Sequence, residues 1–396
     1  MKILLIETEP SGHHISLYLN ALVDKLISEN HNVSILTSIK TKNFPSFSYI
    51  KTKNVKIYYL EKYKNFNHNG YLNILINQII LYFIIKKKIN SINKFDLIYL
   101  NTFTVIDKAL SIFGSPFKNT KFSGLFPAIN FIEKQKIYSF SFYKNMINKF
   151  LFNKLLNSEN LINIFIPDHR FIKYSKKKFW HYKKINLSYD FGFHEEKKNS
   201  VIKKKSINKK LSLNLKKKNN FVILVYGSIR FEKGIQFLLK AANEIKTKKN
   251  LTIIIAGKHD NYTKKIVNKY KENNNFSLFS IDKFLETEFQ RYLFKKANLV
   301  WTGYTKNYFG SSAVFFLSGK YKKPNISSNH GLISKYNKIY KTGYSVEIDN
   351  IKNIKKLLSN IIYTNKKIEN KYFDILNNIH NSKKFSDNIF NRLILK

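Results

Sequence analysis

The sequence contains no cysteine, which excludes disulfide bonds and thiolate metal sites and leaves the redox compartment unmarked. Proline and glycine are scarce, at 6 and 13 residues in a chain of 396, so each glycine at the end of an apolar run stands out. Arginine is confined to Arg170, Arg230, Arg291 and Arg392, and 25 acidic residues face 70 lysines and arginines. Long apolar runs are missing too. The best candidate span, Tyr71 to Ile85, is interrupted by Asn73, Asn77 and Gln78 and falls short of the ~20 apolar residues a bilayer requires, so it reads as a buried or interfacial helix. Met1 to Glu7 is too short before Pro10 for a signal peptide, and the expected location is the cytoplasm.

A hydrophobic content of 43% is that of a globular protein, and the length suits two or three domains. Lysine, asparagine, isoleucine, tyrosine and phenylalanine dominate, the drift of an AT-rich genome, so much of the net charge of +45 is surface lysine. Such a charge still draws in anionic partners, namely nucleotide sugars, phospholipid head groups or nucleic acid. The expected partner surface is the inner face of an anionic membrane, held loosely and peripherally. Nucleic acid is not expected, because the lysine runs lack arginine and interleaved aromatics.

Along the chain, Ile3 to Ile6 is a continuous apolar run, Pro10-Ser11-Gly12 a break, and Leu19, Leu22, Val23 and Leu26 a helical stripe. Val33 to Thr37 and Asp96 to Leu100 are further strands, and Leu161 to Ile166 another, whereas Phe122 to Phe152 resists parsing. This is the opening of a doubly wound α/β domain. Lysine clusters with asparagine and serine from Leu187 to about Asn220, the texture of a connection between domains. The α/β rhythm then resumes, with strands expected at Phe221–Tyr226, Leu251–Ala256, Phe276–Phe279 and Asn298–Trp301. Lys384 to Leu395 reads as a final helix.

Two blocks carry chemistry. In the first, the strand Phe221–Tyr226 runs into Gly227-Ser228-Ile229-Arg230-Phe231-Glu232-Lys233-Gly234 and then a helix with Ile235, Leu238, Leu239 and Ala242 on one face. A strand that ends in glycine and hands over to a helix leaves unpaired N–H groups and a positive dipole end facing outward, which attract phosphate. Arg230 adds a fork suited to paired oxygens and Lys233 a mobile point charge. The bland alternative is an ordinary turn with solvated charges. In the second block, Gly310-Ser311-Ser312 precedes Lys323-Pro324 and His330-Gly331-Leu332.

These blocks, with Ile253-Ile254-Ile255-Ala256-Gly257, Ile281-Asp282-Lys283, Lys296-Ala297-Asn298, Gly12-His13-His14 and Asn30-His31-Asn32-Val33, occur in the order that resembles retaining glycosyltransferases of the GT-B fold. They look most like the family-4 group of group 1 transferases. The resemblance implies two doubly wound Rossmann-like domains facing a central cleft: residues 1–187 on the acceptor side, 188–220 as the connection, 221–375 for the nucleotide sugar, and 376–396 as a helix that packs on the first domain. It implies a retaining, metal-independent hexosyltransferase that needs no cofactor. The donor is a nucleotide-diphosphate sugar and the acceptor a glycan or lipid-linked glycan in bacterial surface polysaccharide synthesis, lipopolysaccharide included.

By the same resemblance Arg230 and Lys233 hold the leaving diphosphate and stabilise its developing charge. Gly310, Ser311 and Ser312 present N–H groups and hydroxyls to it, and Gly227, Ser228, Gly257 and His259 border the nucleotide. Gly12, His13 and His14 lie on the first loop, where a histidine either touches acceptor or donor phosphate or caps the next helix. His169 and Arg170 belong either to the cleft or to a plain turn, and His31 and His330 are structural. Many family members carry a pair of glutamates around the Gly-Ser-Ser turn, contacting sugar and ribose. Counted back from Pro324, Phe309 and Leu317 stand at those positions, so ribose and sugar fall to Ser311, Ser312 and backbone groups, or catalysis is poor. Two rivals remain: a GT-B sugar-nucleotide 2-epimerase, and a non-catalytic basic protein that binds membrane or nucleic acid.

Overall fold

The computed structural model describes residues 1–9, 14–61, 71–127, 129, 139–193, 209–272, 275–364 and 367–394. The chain forms two compact units, Met1–His194 with Asn381–Lys396, and Glu195–His380.

The first unit is built on a seven-stranded parallel sheet: β1 (Lys2–Glu7), β2 (Asn32–Ser38), β3 (Lys56–Leu60), β4 (Leu97–Leu100), β5 (Lys121–Leu125), β6 (Leu161–Ile166) and β7 (Ile185–Leu187). Their spatial order is β3-β2-β1-β4-β5-β6-β7. β1 and β2 are buried on both faces along nearly their whole length, which is why β1 reads as an unbroken apolar run, while in β2 the buried Ser34, Thr37 and Ser38 interrupt the pattern. The stretch that resists parsing resolves into β5 and the helix Phe140–Leu156, whose first turn is capped by the Ser139 hydroxyl accepting from the Phe142 N–H at 3.2 Å. Its aromatic content is core material, since Phe103, Phe117, Phe122, Phe152 and Phe171 are buried together. The helix Ser382–Leu393 returns to this unit and packs on the helix Asn20–Ser28. Phe385 lies against Tyr18 at 5.1 Å between ring centroids, and Lys25 pairs with Asp387 at 2.9 Å.

The second unit has six parallel strands, β8 (Asn220–Tyr226), β9 (Asn250–Ala256), β10 (Ser277–Ile281), β11 (Leu299–Thr302), β12 (Asn325–Ser328) and β13 (Gly343–Val346), in the order β10-β9-β8-β11-β12-β13. The predicted stripe Ile235, Leu238, Leu239 and Ala242 is fully buried on the helix Ile235–Asn243, which packs beside the helix Ile351–Thr364. In both sheets the chain reverses its winding direction once, between β1 and β4 and between β8 and β11. Such a reversal opens a crevice at the carboxyl ends of the strands.

Unit boundaries fall at 194/195 and 380/381, where the sequence suggested 187, 220 and 375. The interval 188–220 is structured at both described ends. Ser188, Asp190 and Phe191 are buried in the first unit, with the Tyr18 hydroxyl donating to Asp190. The short helix Lys209–Asn214 is stitched to the second sheet, where Thr252 Oγ1 donates to Asn214 Oδ1 at 2.7 Å. Among the described residues no helix is long and apolar enough to cross a membrane.

Candidate functional site

The crevice of the second sheet collects most of the chemistry-bearing residues. β8 ends at Gly227, whose φ of +98° is open to glycine and strained for any other residue. Beside it, β9 ends at Gly257 with φ +137°, and a Cβ there would stand 1.8 Å from the Gly227 carbonyl oxygen. The two turns therefore touch backbone to backbone, and Ile229 N–H donates to the Lys258 carbonyl at 2.8 Å to continue the contact. Gly257 has a structural reason to be glycine before any ligand is considered.

Lys233 is buried and turned inward. Its Nζ donates to the Tyr304 hydroxyl at 3.2 Å and sits 5.1 Å from the centre of the same ring. It lies 3.9 Å from where a Cβ on Gly227 would be, so its charge is at the mouth of the glycine turn. The backbone is held as well, since the Trp301 indole donates to the Lys233 carbonyl at 2.8 Å. Among the described residues no carboxylate forms an ion pair with Lys233. A buried cation without an anion is costly unless something negative arrives.

The Gly-Ser-Ser turn comes to the same place. The Tyr304 hydroxyl is shared with Ser312 Oγ at 3.0 Å, so lysine, tyrosine and serine form one hydrogen-bonded chain across the crevice. Ser312 starts the helix Ala313–Lys320 without a side-chain cap; its carbonyl takes the Phe315 N–H at 3.0 Å, which leaves the Ala313 and Val314 N–H groups of the first turn to another acceptor. Val314, in that turn, is 3.4 Å from the position of a Gly227 Cβ. Ser311 Oγ is buried with no hydrogen-bond partner among the described residues. Behind the turn, Tyr308 stacks on Tyr304 at 4.0 Å and donates its hydroxyl to the Ser311 carbonyl.

Around this centre the loops are cross-tied. Asp260 accepts from Phe231 N–H at 2.9 Å and caps the helix Asn261–Lys269 by accepting from Thr263 N–H at 2.7 Å. Burial opposes its ionisation, but those bonds and the Arg230 charge outweigh it and hold the carboxyl below its usual value. Asp282 accepts from His259 N–H at 2.8 Å and pairs with Lys264 at 3.1 Å, which together bring its carboxyl down to about 2. His259 is itself buried, and burial lowers its pKa. Among the described residues its Nε2 has no hydrogen-bond partner, so a neutral imidazole edge is left over beyond the end of β9.

The remaining candidates fall elsewhere. Arg230 does not join the chain of hydrogen bonds: its side chain is 57% exposed and lies 3.8 Å from Glu232. Gly12 and His13 lie outside the described residues. His14 opens a wide helical turn, His14–Leu19, in the first unit; burial lowers its pKa to about 4, so its ring is neutral at pH 7 and supplies no charge to a phosphate. Asp168 caps the helix His169–Lys178 and binds the Arg170 guanidinium at 2.6 Å, so the turn reading fits that pair. His330 Nε2 meets the Thr305 carbonyl at 3.0 Å and His31 packs on Phe390, both structural placements. Leu317 is buried in its helix and Phe309 packs edge-on to His330, so neither stands in as a polar ligand.

Two residues at the crevices escaped the sequence reading. Tyr304 links the two blocks, but a tyrosine in a chain with 25 of them carries no mark; the available signal was its place two residues beyond β11. Glu7 ends β1 at the reversal of the first sheet, and its Oε2 accepts from Asn101 Nδ2 and from Thr102 Oγ1 at 2.7 Å.

Residues 206–372 match the family described as glycosyl transferases group 1. A search of curated protein sequences gave no match. Among solved structures, Anabaena Alr3699/HepE in complex with UDP-glucose is similar over 100% of both chains, with 14% identity and a TM-score of 0.68. The lipopolysaccharide outer core galactosyltransferase WaaB is similar over 100% of this chain and 99% of its own, at 12% identity and a TM-score of 0.61. A UDP-N-acetylglucosamine 2-epimerase from Listeria monocytogenes, described as putative, is similar over 100% of this chain and 97% of its own, at 13% identity and a TM-score of 0.64. The chain thus has the GT-B fold, with residues 206–372 similar to group 1 glycosyl transferases.

Proposed function

We propose that this protein is a retaining, metal-independent hexosyltransferase of the family-4 type, moving a sugar from a nucleotide-diphosphate donor to a glycan or lipid-linked acceptor in bacterial surface polysaccharide synthesis. The observation that carries the donor site is the chain Lys233–Tyr304–Ser312, with a buried ammonium that has no anionic partner among the described residues at the mouth of the Gly227 turn. A diphosphate supplies that anion. The Ala313 and Val314 N–H groups at the start of the helix Ala313–Lys320, and the Ser311 hydroxyl, which has no partner among the described residues, supply further donors.

As the glycosidic bond breaks, charge builds on the leaving diphosphate, and donors already fixed in place stabilise that state more than the ground state. Lys233 is fixed by the Tyr304 hydroxyl and ring, so little reorganisation remains for the moment of bond cleavage. A lysine cation performs the neutralisation that a divalent metal performs in other transferases, which is the basis for proposing metal independence and the absence of a cofactor. The retaining course rests on the motif order. The surface-glycan role, at the cytoplasmic face of a membrane and peripheral to it, rests on the charge of +45 and on the titled role of WaaB.

Thermal stabilisation by nucleoside diphosphates tests the donor site, with UDP first because HepE is described with it. Stabilisation of the wild type and its loss in Lys233→Ala and Ser312→Ala is the expected result; equal stabilisation of all three would move the site elsewhere. A second reading, sugar-nucleotide 2-epimerase, is favoured by Phe309 and Leu317 at the glutamate positions and by the Listeria neighbour. It predicts turnover of UDP-sugar with no acceptor present.

A further inference from the structure

The helix Phe140–Leu156 is apolar on two sides. Phe152, Leu155 and Leu156 enter the core of the first unit, as any helix covering a sheet requires. A second stripe has no such excuse: Phe140, Tyr143, Ile147 and Phe150 share the opposite side at helical spacing and are 76%, 50%, 49% and 68% exposed. The amino-terminal end of the helix Tyr71–Asn90 meets the same helix away from this stripe, with the Tyr71 hydroxyl donating to Asn148 Oδ1 at 3.1 Å. A contiguous apolar surface of this kind on a folded unit marks an interaction site.

Beside Phe150 opens a cleft of about 320 Å³ between this helix and the helix His169–Lys178. Lys149, Lys178, Tyr174 and Phe179 line it, and Lys149 Nζ lies 5.5 Å from the centre of the Tyr174 ring. Asn153 also lines it, and its Oδ1 is buried without a hydrogen-bond donor. Trp180 follows Phe179 in the chain and is 91% exposed, one of only two tryptophans; the other, Trp301, is buried in the second unit.

We propose that this face of the first unit docks on an anionic phospholipid bilayer. The stripe Phe140–Phe150 enters the acyl boundary, Lys149 and Lys178 take a lipid phosphate at the cleft, and Trp180 lies at head-group depth. Aromatic rings, aliphatic side chains and lysines in one surface are what an interfacial element offers. Charge decides between this occupant and a second copy of the chain: pairing two such faces would bring like lysines together in a protein of net charge +45, whereas an acidic leaflet complements them. The proposal names the surface by which the peripheral membrane reading above operates, but vesicle binding can be measured with no nucleotide present. It therefore fails or stands separately from the donor site.

The test is flotation of the full chain with phosphatidylcholine vesicles and with vesicles enriched in phosphatidylglycerol, followed by tryptophan emission. Wild type is expected to bind only the acidic vesicles, with a blue shift that Trp180→Phe abolishes. Phe140→Ser/Phe150→Ser is expected to weaken partition roughly tenfold or more, and Lys149→Ser/Lys178→Ser roughly tenfold. An unchanged circular-dichroism spectrum and melting profile in both pairs shows that they fold. A charge-matched pair in the second unit, Lys338→Ser/Lys352→Ser, is expected to leave binding within about twofold. If that pair loses as much as Lys149→Ser/Lys178→Ser, the attraction is diffuse charge and the proposal is overturned. It is equally overturned if emission does not shift on binding, or if light scattering shows a wild-type dimer that the phenylalanine pair dissolves.

Discussion

The two sheets reverse their winding in the same way, yet the crevices are furnished with opposite charge. Where β1 meets β4 the residue at the strand end is Glu7, fully buried, with its two oxygens taken by Asn101, Thr102 and the Glu9 N–H. Where β8 meets β11 the buried charge is Lys233, supported by a tyrosine hydroxyl and lacking an anion among the described residues. One crevice is internally satisfied and the other is satisfied only on one side. The topology provides a position for a ligand in both, and the side chains decide which is left asking for one.

The sharpest way to break the second crevice is Gly257→Ala. Its Cβ would collide with the Gly227 carbonyl, a backbone atom that cannot turn aside, in a conformation already poor for alanine. We expect a loss of about 3 kcal/mol or more in stability of the second unit, read by hydrogen exchange at β8 and β9. If exchange there is unchanged, the two turns do not touch as described.

Lys233→Met separates function from folding. Methionine keeps the stem and removes the uncompensated cation, so apo stability is expected to hold or rise, while stabilisation by UDP disappears and transfer falls about 10²- to 10³-fold. A variant that still gained stability from UDP would place the diphosphate away from this lysine.

Glu7→Gln tests the other crevice. One amide N–H₂ must then face a donor, Asn101, Thr102 or the Glu9 N–H, at a cost of about 1–3 kcal/mol. Stabilisation by UDP should not change. Burial raises the pKa of Glu7 in the folded protein above its ordinary 4.5, so its contribution to stability is full below that pH and is lost as pH rises through the folded value. The wild type should lose stability over that window, and Glu7→Gln should lose less.

Much of this arrangement was legible. β1 and β8 are unbroken apolar runs, and β2 and β9 apolar stretches broken only by Ser34, Thr37 and Thr252, because parallel strands are covered on both faces, and the stripe Ile235 to Ala242 fixed the helix after the first block. β12 was not, since Asn325-Ile326-Ser327-Ser328 is a buried strand satisfied by side chains: Asn337 Nδ2 donates to Asn325 Oδ1 and to Ser327 Oγ, each at 2.9 Å. Hydropathy has no way to register a strand whose polar groups are paired from another element. β5 hid for another reason, because Gly124 lies so close to β4 that a Cβ would stand 2.5 Å from the Leu100 carbonyl oxygen. In the site, the glycines and serines were visible as turn chemistry, whereas Tyr304 required knowing which tyrosine the fold delivers to the crevice. Glu7 was hidden inside an apolar run.

Arg230 is where composition weighed a residue more heavily than geometry does. Its rarity in a lysine-rich chain argued for a role beside Lys233, yet its guanidinium is largely in solvent near Glu232 and Asp260. An exposed charge at that distance steers a dianionic ligand more than it grips one, and exposed pairs contribute at most about 1 kcal/mol. Arg230→Ala is therefore expected to weaken UDP binding about fivefold or less, through a slower on-rate that converges with wild type as salt rises. An effect as large as that of Lys233→Met, persisting at high salt, would mean that Arg230 swings onto the bound diphosphate. The satisfied surface charge would then be a second half of the open crevice, and the contrast between the two sheets would extend beyond their buried residues.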